Sequence, residues 1–165
     1  MIVTINTDAS YHPEYKVGAF AFWIVCDQGK MMQSGDLKLA RHAQDAEIKA
    51  IANALHALLV SKFTDVKFII INTDCKFAIE AIRDKKKHRI GKSKDACSQI
   101  DKIILKLRAK YDIGPRKNRQ KPFIDWRYVP AHTDGVDKRT WVNNWCDSAA
   151  KKALWALINT KTKPS

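Results

Sequence analysis

From Val66 to Asp74 the chain reads Val-Lys-Phe-Ile-Ile-Ile-Asn-Thr-Asp. The run is too short for a helix and lacks the polar–apolar alternation of a half-exposed strand. It therefore predicts a central strand covered on both faces. A chain with such a strand needs helices to cover it, which points to a layered α/β sheet. The run also ends on an acid, Asp74, where a strand of such a sheet opens toward solvent.

The flanking segments supply the other layers. Ile2 to Asp8 is β-rich and also ends on an acid. Val17 to Cys26 is apolar and aromatic, with Asp27-Gln28-Gly29 as its turn, and Met31 to Ala40 closes an antiparallel meander. A helix follows, because Ile48, Ile51, Ala52, Leu55, Leu58 and Leu59 repeat with the 3.6-residue period. Glu47 stands four before Ile51, at the edge of that buried stripe, so its carboxylate is expected to turn toward the sheet. After Asp74 comes a short helix with Phe77, Ala78, Ala81 and Ile82 inward. A second helix follows on Ile100, Ile103, Ile104, Leu107 and Tyr111, then a strand from Phe123 to Val129. The last helix is expected to bury Trp145, Ala149, Ala153 and Leu157, with Asn143 or Asn144 near its N-cap.

The order βββ-α-β-α-α-β-α predicts a mixed five-stranded sheet with helices on its faces. Ligands of open α/β sheets lie beyond the carboxyl ends of the strands. Asp8 and Asp74 occupy such ends on strands expected to be parallel neighbours, and Glu47 and Asp147 come from helices. Converging carboxylates repel one another and are costly to desolvate unless a cation joins them, and a hard divalent ion such as magnesium suits oxygen donors.

The rest of the chain is basic. Lys and Arg number 30 against 17 Asp and Glu, a formal charge of +13. That excess, which is clustered, favours a polyanionic partner through counterion release and steering. Arg83, Lys85, Lys86, Lys87, Arg89, Lys92 and Lys94 fall in one segment. Arg116, Lys117, Arg119 and Lys121 form a second patch on a loop. Cys26, Cys75, Cys97 and Cys146 show neither CxxC pairing nor zinc-finger spacing, and read as reduced thiols of a cytoplasmic protein. No signal peptide opens the chain, and no apolar stretch approaches the roughly 20 residues of a membrane span.

Four short motifs, in order and on the expected elements, carry a resemblance. They are Thr7-Asp8-Ala9-Ser10, Ala46-Glu47-Ile48-Lys49-Ala50, Thr73-Asp74-Cys75, and Val129-Pro130-Ala131-His132 followed by Asn143 and Asp147. Over nearly its whole length the chain resembles the ribonuclease HI family of the RNase H-like superfamily. The resemblance implies an α/β fold with strand order 3-2-1-4-5. It implies one catalytic domain over residues 1–160 with a short polar tail over 161–165. Because the sequence begins on its first strand, no separate hybrid-binding domain is expected before it, and no polymerase portion is expected within it.

The resemblance also implies the chemistry: hydrolysis of the RNA strand of an RNA–DNA hybrid by a monomer, away from membranes. Two magnesium ions, or manganese in their place, would leave 5′-phosphate and 3′-hydroxyl ends. Asp8, Glu47, Asp74 and Asp147 match the metal-binding carboxylates, Asp8 as the bridging one, and His132 matches a loop histidine that moves protons or aids product release. Asn143 matches an asparagine at the start of the last helix. Ser10, Gln44 and Asn72 are candidates for reading 2′-hydroxyls. Lys85, Lys86, Lys87 and Arg89 fall where some members carry a basic protrusion that grips DNA. The chain departs from the family at Ala9 and Ala131, where glycine is usual, in its protrusion segment, which has no tryptophan, and in the long interval from His132 to Asp147.

The remaining acids, histidines and tryptophans have plainer readings. Asp45 is turned from Glu47 by its two-residue spacing and reads as a surface acid. Asp101 reads as a surface acid too, and Asp134 and Asp137 as ordinary loop acids. His12, His42, His56 and His88 lack partners at metal spacing. The tryptophans read as packing residues, with Trp141 the exception worth testing as a stacking platform. Two further functions stay open on the same fold: a DNA-cutting nuclease of junction-resolvase or integrase type, and a non-catalytic nucleic-acid-binding module.

Overall fold

The computed structural model describes residues 1–37, 39–84, 93–114, 123–130 and 138–162. Its elements are β1 (Ile2–His12), β2 (Val17–Cys26), β3 (Gly29–Leu37), α1 (Ala43–Val60), β4 (Phe68–Thr73), α2 (Lys76–Arg83), α3 (Lys94–Lys110), β5 (Ile124–Tyr128) and α4 (Lys138–Thr162). The five strands form one sheet in the order β3-β2-β1-β4-β5. β1, β2 and β3 pair antiparallel, whereas β1, β4 and β5 run parallel.

Strand alternation divides the sheet into two faces. Val3, Ile5, Phe22, Ile24, Ile69 and Ile71 point to one side, where Ile48, Ile51, Leu55 and Leu58 of α1 meet them. Cys97, Ile100 and Leu107 of α3, with Ala78 and Ala81 of α2, complete this main core. Each of the large side chains contributes roughly 1.5–3 kcal/mol by leaving water. The opposite face of β1 and β2 is lined by Val17, Ala19 and Ala21, and among the described residues it carries α4 alone, through Cys146, Ala150, Leu154 and Ile158.

Two details are less symmetric than the sequence suggests. In β4, Ile69 and Ile71 are fully buried but Phe68 and Ile70 only partly. The reason is that α4 lies over β1 and β2, leaving the second face of β4 half-covered. In α4, the buried stripe is Thr140, Asn143, Cys146, Ala150, Leu154 and Ile158, one residue off the expected phase. The helix also starts at Lys138, so Asn143 lies within its second turn and caps nothing. Small residues on the sheet (Ala19, Ala21) bring the helix axis close, so Cys146 and Ala150 fit beneath it while Trp145 is displaced to the flank.

The far end of α1 is secured from α3. Lys110 Nζ donates to the carbonyls of Leu58, Leu59 and Ser61 at 3.2, 2.9 and 2.7 Å. A cation there meets both the last carbonyls of the helix and the negative end of its dipole. Among the described residues no helix is long and apolar enough to cross a membrane.

Candidate active site

β1 does not stop at Asp8 but runs on to His12, paired with β2 throughout. What stops is its parallel neighbour: the β1–β4 register ends at Asn6↔Asn72, and β4 ends at Thr73. Asp8 and Asp74 each stand two residues past that last pair, so strand alternation puts them side by side on one face. Glu47 reaches them from the first turns of α1. Carboxylate oxygens of Asp8, Glu47 and Asp74 lie within 4.8 Å of one another.

The crowding is visible in the acids' affinity for protons. Burial, reinforced by the charges of Asp74 and Asp147, pushes Asp8 up to about 7, although the Ala9 N–H donates to its Oδ1 at 2.8 Å. Burial, together with Asp8 and Asp74, raises Glu47 well above the usual carboxylate range. Glu47 Oε2 is buried with no hydrogen-bond donor against it among the described residues. Hard oxygen donors that converge and repel, with Glu47 Oε2 lacking a hydrogen-bond donor among the described residues, fit a divalent cation of the magnesium class.

Asp147 stands at the edge of this group. It faces the site side of α4, and Lys151, one turn on, donates to its Oδ2 at 2.8 Å. That bond is the chief reason the Lys151 ammonium holds its proton more tightly. Beside it, Cys146 is buried with its Sγ 3.6 Å from the Asn6 carbonyl, and burial, with Asp8 next, pushes its thiol up. Burial likewise raises the Cys75 thiol, at the head of α2, to about 11. All four cysteines are free thiols.

The candidate substrate-binding residues separate. Ser10 is half-buried on the Asp8 face of β1, and Gln44 is exposed in the first turn of α1. Both remain reachable. Asn72 does not: it is 2% exposed, and its Nδ2 donates to Asn6 Oδ1 at 3.0 Å. It bridges β1 and β4 beneath the acids, its amide turned onto Asn6 and not toward the surface. Asn143 is also buried, facing the sheet. Its Oδ1 accepts no hydrogen bond among the described residues. His132, Lys85, Lys86, Lys87, Arg89, Lys92, Arg116, Lys117, Arg119, Lys121, Asp134 and Asp137 lie outside the described residues.

Asp45, which its spacing predicts to be a surface acid, is buried at 1% exposed. Its Oδ2 accepts from the Arg41 N–H at 3.0 Å and from Lys49 Nζ at 2.8 Å, and its own N–H donates to His42 Nδ1 at 3.1 Å. Lys49 Nζ also reaches the carbonyl of Leu39, whose φ is +74°. The chain between β3 and α1 is thereby fastened over the helix start, two residues before Glu47. The His42–Asp45–Lys49 spacing carries a capping signal that a search for exposed charge passes over.

The sequence matches the family model for RNase H over residues 1–155. The chain belongs to the RNase H family. No curated protein matches it. Among solved structures it is similar to the N-terminal RNase H domain of a Mycobacterium tuberculosis protein, studied as a fusion with maltose-binding protein. There the identity is 14%, 98% of this chain and 99% of that one are covered, and the TM-score is 0.68. It is similar to an RNase H1 isolated from compost, at 16% identity, 92% and 97% coverage and a TM-score of 0.63. A structure of that RNase H1 in complex with an RNA/DNA hybrid matches at 14% identity, 92% and 99% coverage and a TM-score of 0.57. At these identities the structural neighbours establish the RNase H fold, with its five-stranded 3-2-1-4-5 sheet.

Proposed function

We propose that this RNase H hydrolyses the RNA strand of RNA–DNA hybrids as a magnesium-dependent endonuclease, leaving 5′-phosphate and 3′-hydroxyl ends. The observation that carries the reading is the buried Asp8–Glu47–Asp74 cluster at the open end of the β1–β4 pair, in a chain of this family. The hybrid bound in the compost RNase H1 structure supports the substrate class. The +13 charge supports a polyanion in general.

Bound divalent ions would supply the charge that lowers the pKa of an attacking water and stabilises the leaving 3′ oxygen. Asp8, Glu47 and Asp74 would hold them, with Asp147 joining from α4 once released from Lys151. The protein's own part is positioning. Asp8 is pinned by its β2 pairing partner Ala21. Glu47 is held by the Asp45–Lys49 fastening of α1, and Asp74 by the junction of β4 and α2. Ser10 and Gln44 would meet the RNA strand near its 2′-hydroxyls, and Lys85, Lys86, Lys87 and Arg89 would contact the DNA strand. His132 would accept or relay a proton.

The test is a cleavage assay on end-labelled hybrid with magnesium or manganese, alongside duplex DNA and a four-way junction. Cutting of the RNA strand alone is expected. Preference for the junction, or no metal-dependent cutting of any substrate, would sink the proposal. Uniform RNA compared with RNA flanked by DNA would show how many ribonucleotides are needed.

A further inference from the structure

Helix α4 has two flanks. One carries Asp147 toward the acids. The other, reached by turning about half a circle at 100° per residue, carries Lys138, Trp141, Trp145, Ser148 and Lys152 at helical spacing. Beyond this second flank, edge strand β3 is only partly covered by α4, and among the described residues most of its side chains are exposed. Lys30, Met32 and Ser34 show their side chains there. Between helix and strand lies a cavity of about 490 Å³ lined by Ser34, Trp145, Ser148, Lys152 and Ala156 among others.

The aromatic groups form one cluster. Trp23 of β2 meets Trp141 at 5.4 Å and Trp145 at 5.3 Å between ring centroids, both edge-on at 83°. Lys30 Nζ lies 5.6 Å from the Trp23 ring centre. Trp141 is 58% exposed, a large apolar surface for a residue that gains nothing from water. Among the described residues, the stripe and the cavity wall carry cations and no carboxylate. The one acid on the same face of β3 is Asp36, at its far end, and Asp147 points away and is paired with Lys151.

We propose that this flank is a second nucleic-acid contact, separate from the acidic site, that takes single-stranded nucleic acid. An exposed indole, Trp141, backed by two half-buried ones and set among cations suits unstacked bases on a phosphate backbone, and binds them with little sequence preference. A duplex keeps its bases stacked and offers them no face. A protein partner is disfavoured because, among the described residues, the charges along the stripe are positive, with Asp36 set apart at the far end of β3. The lysines at Lys30, Lys138 and Lys152 cover about 21 Å of helix and strand, counted at 1.5 Å per residue from Lys138 to Lys152, so they would track several phosphates.

The test uses the full chain and a fluorescein-labelled oligodeoxythymidylate, followed by anisotropy across a range of salt. Trp141→Ala is expected to weaken binding about tenfold without changing the salt slope. Lys152→Glu is expected to weaken it and flatten the slope of log affinity against log salt by about 0.7 or more. Both variants should cleave a blunt hybrid with wild-type kcat/KM, while KM for a hybrid with a single-stranded overhang rises. Wild-type affinity in both variants would overturn the proposal. So would a matching loss of blunt-hybrid cleavage, which would merge this surface with the main site, or a monomer–dimer equilibrium in sedimentation abolished by Trp141→Ala.

Discussion

Replacing Asp8 with asparagine should make the metal-free protein more stable at neutral and alkaline pH. Asp8 is 3% exposed and is pushed from its ordinary value of 3.8 to about 7, first by burial and then by Asp74 and Asp147. Its folded-state pKa thus lies above its unfolded one, and the folded protein binds the proton more tightly. Stability from this group is fully present below about pH 4, declines as pH rises from 4 to 7, and is lost above 7. At 1.36 kcal/mol per pH unit, three units amount to about 4 kcal/mol. Glu47 shares the same field, so about 2–4 kcal/mol is the expected gain on removing one charge. Asparagine keeps the shape and can still accept the Ala9 N–H. For a chain of this size about 2–4 °C in Tm accompanies each kcal/mol. Thermal unfolding by circular dichroism in EDTA should therefore show Asp8→Asn well above wild type at pH 8 and level with it near pH 4. Magnesium should raise the wild-type Tm and leave the variant nearly unmoved, since only a folded site binds the ion. A variant that melts at or below wild type at pH 8 in EDTA would refute the repulsion argument.

Asp74→Asn should abolish hybrid cleavage while its circular dichroism stays native; near-wild-type turnover would mean that the site is misassigned. Asp45→Ala should cost about 1–3 kcal/mol by leaving Lys49 and the Arg41 N–H without their acceptor, and should raise the magnesium concentration for half-maximal activity because Glu47 loses its support. Urea denaturation and a metal titration of rate check the two effects separately. Lys110→Met keeps the aliphatic stem but removes a donor shared by three carbonyls at the end of α1, so urea unfolding should show a loss of about 1–2 kcal/mol with unchanged catalysis. His132→Ala should slow turnover on hybrid only in part, read from single-turnover rates.

How far the sequence could be read depends on whether neighbouring residues compete for the same role. The run into Asp74 has one polarity per position, so β4, its parallel neighbour and the converging acids are legible. Glu47 is legible because the stripe through Ile51 and Leu55 has a single possible phase. α4 is not, because Trp145, Ala149, Ala153 and Leu157 and the adjacent Cys146, Ala150, Leu154 and Ile158 are both apolar at helical spacing. Only the small residues of the sheet beneath decide between them. Asp45 was hidden for a different reason: its burial comes from the chain between β3 and α1 folding back, a tertiary event with no periodic signature. Asn72 looked reachable because it neighbours Asp74, but the β1–β4 register turns it onto Asn6.

The misreading of β1 is the most informative, because it changes how the site works. An acid at the frayed end of a strand could swing away from its neighbours and shed the repulsion. Asp8 lies inside β1, paired with Ala21 on one edge, and it is the shorter β4 that opens the other edge. The backbone that carries Asp8 is tied into the β2 pairing, and the start of α1 that carries Glu47 is braced by the Asp45–Lys49 pair. Asp147, by contrast, sits on a helix surface with a lysine to accept its charge. Three acids are fixed in mutual repulsion and the fourth is parked nearby. Such an arrangement is costly on its own but needs little reorganisation when a divalent ion arrives, which is what preorganised electrostatics requires.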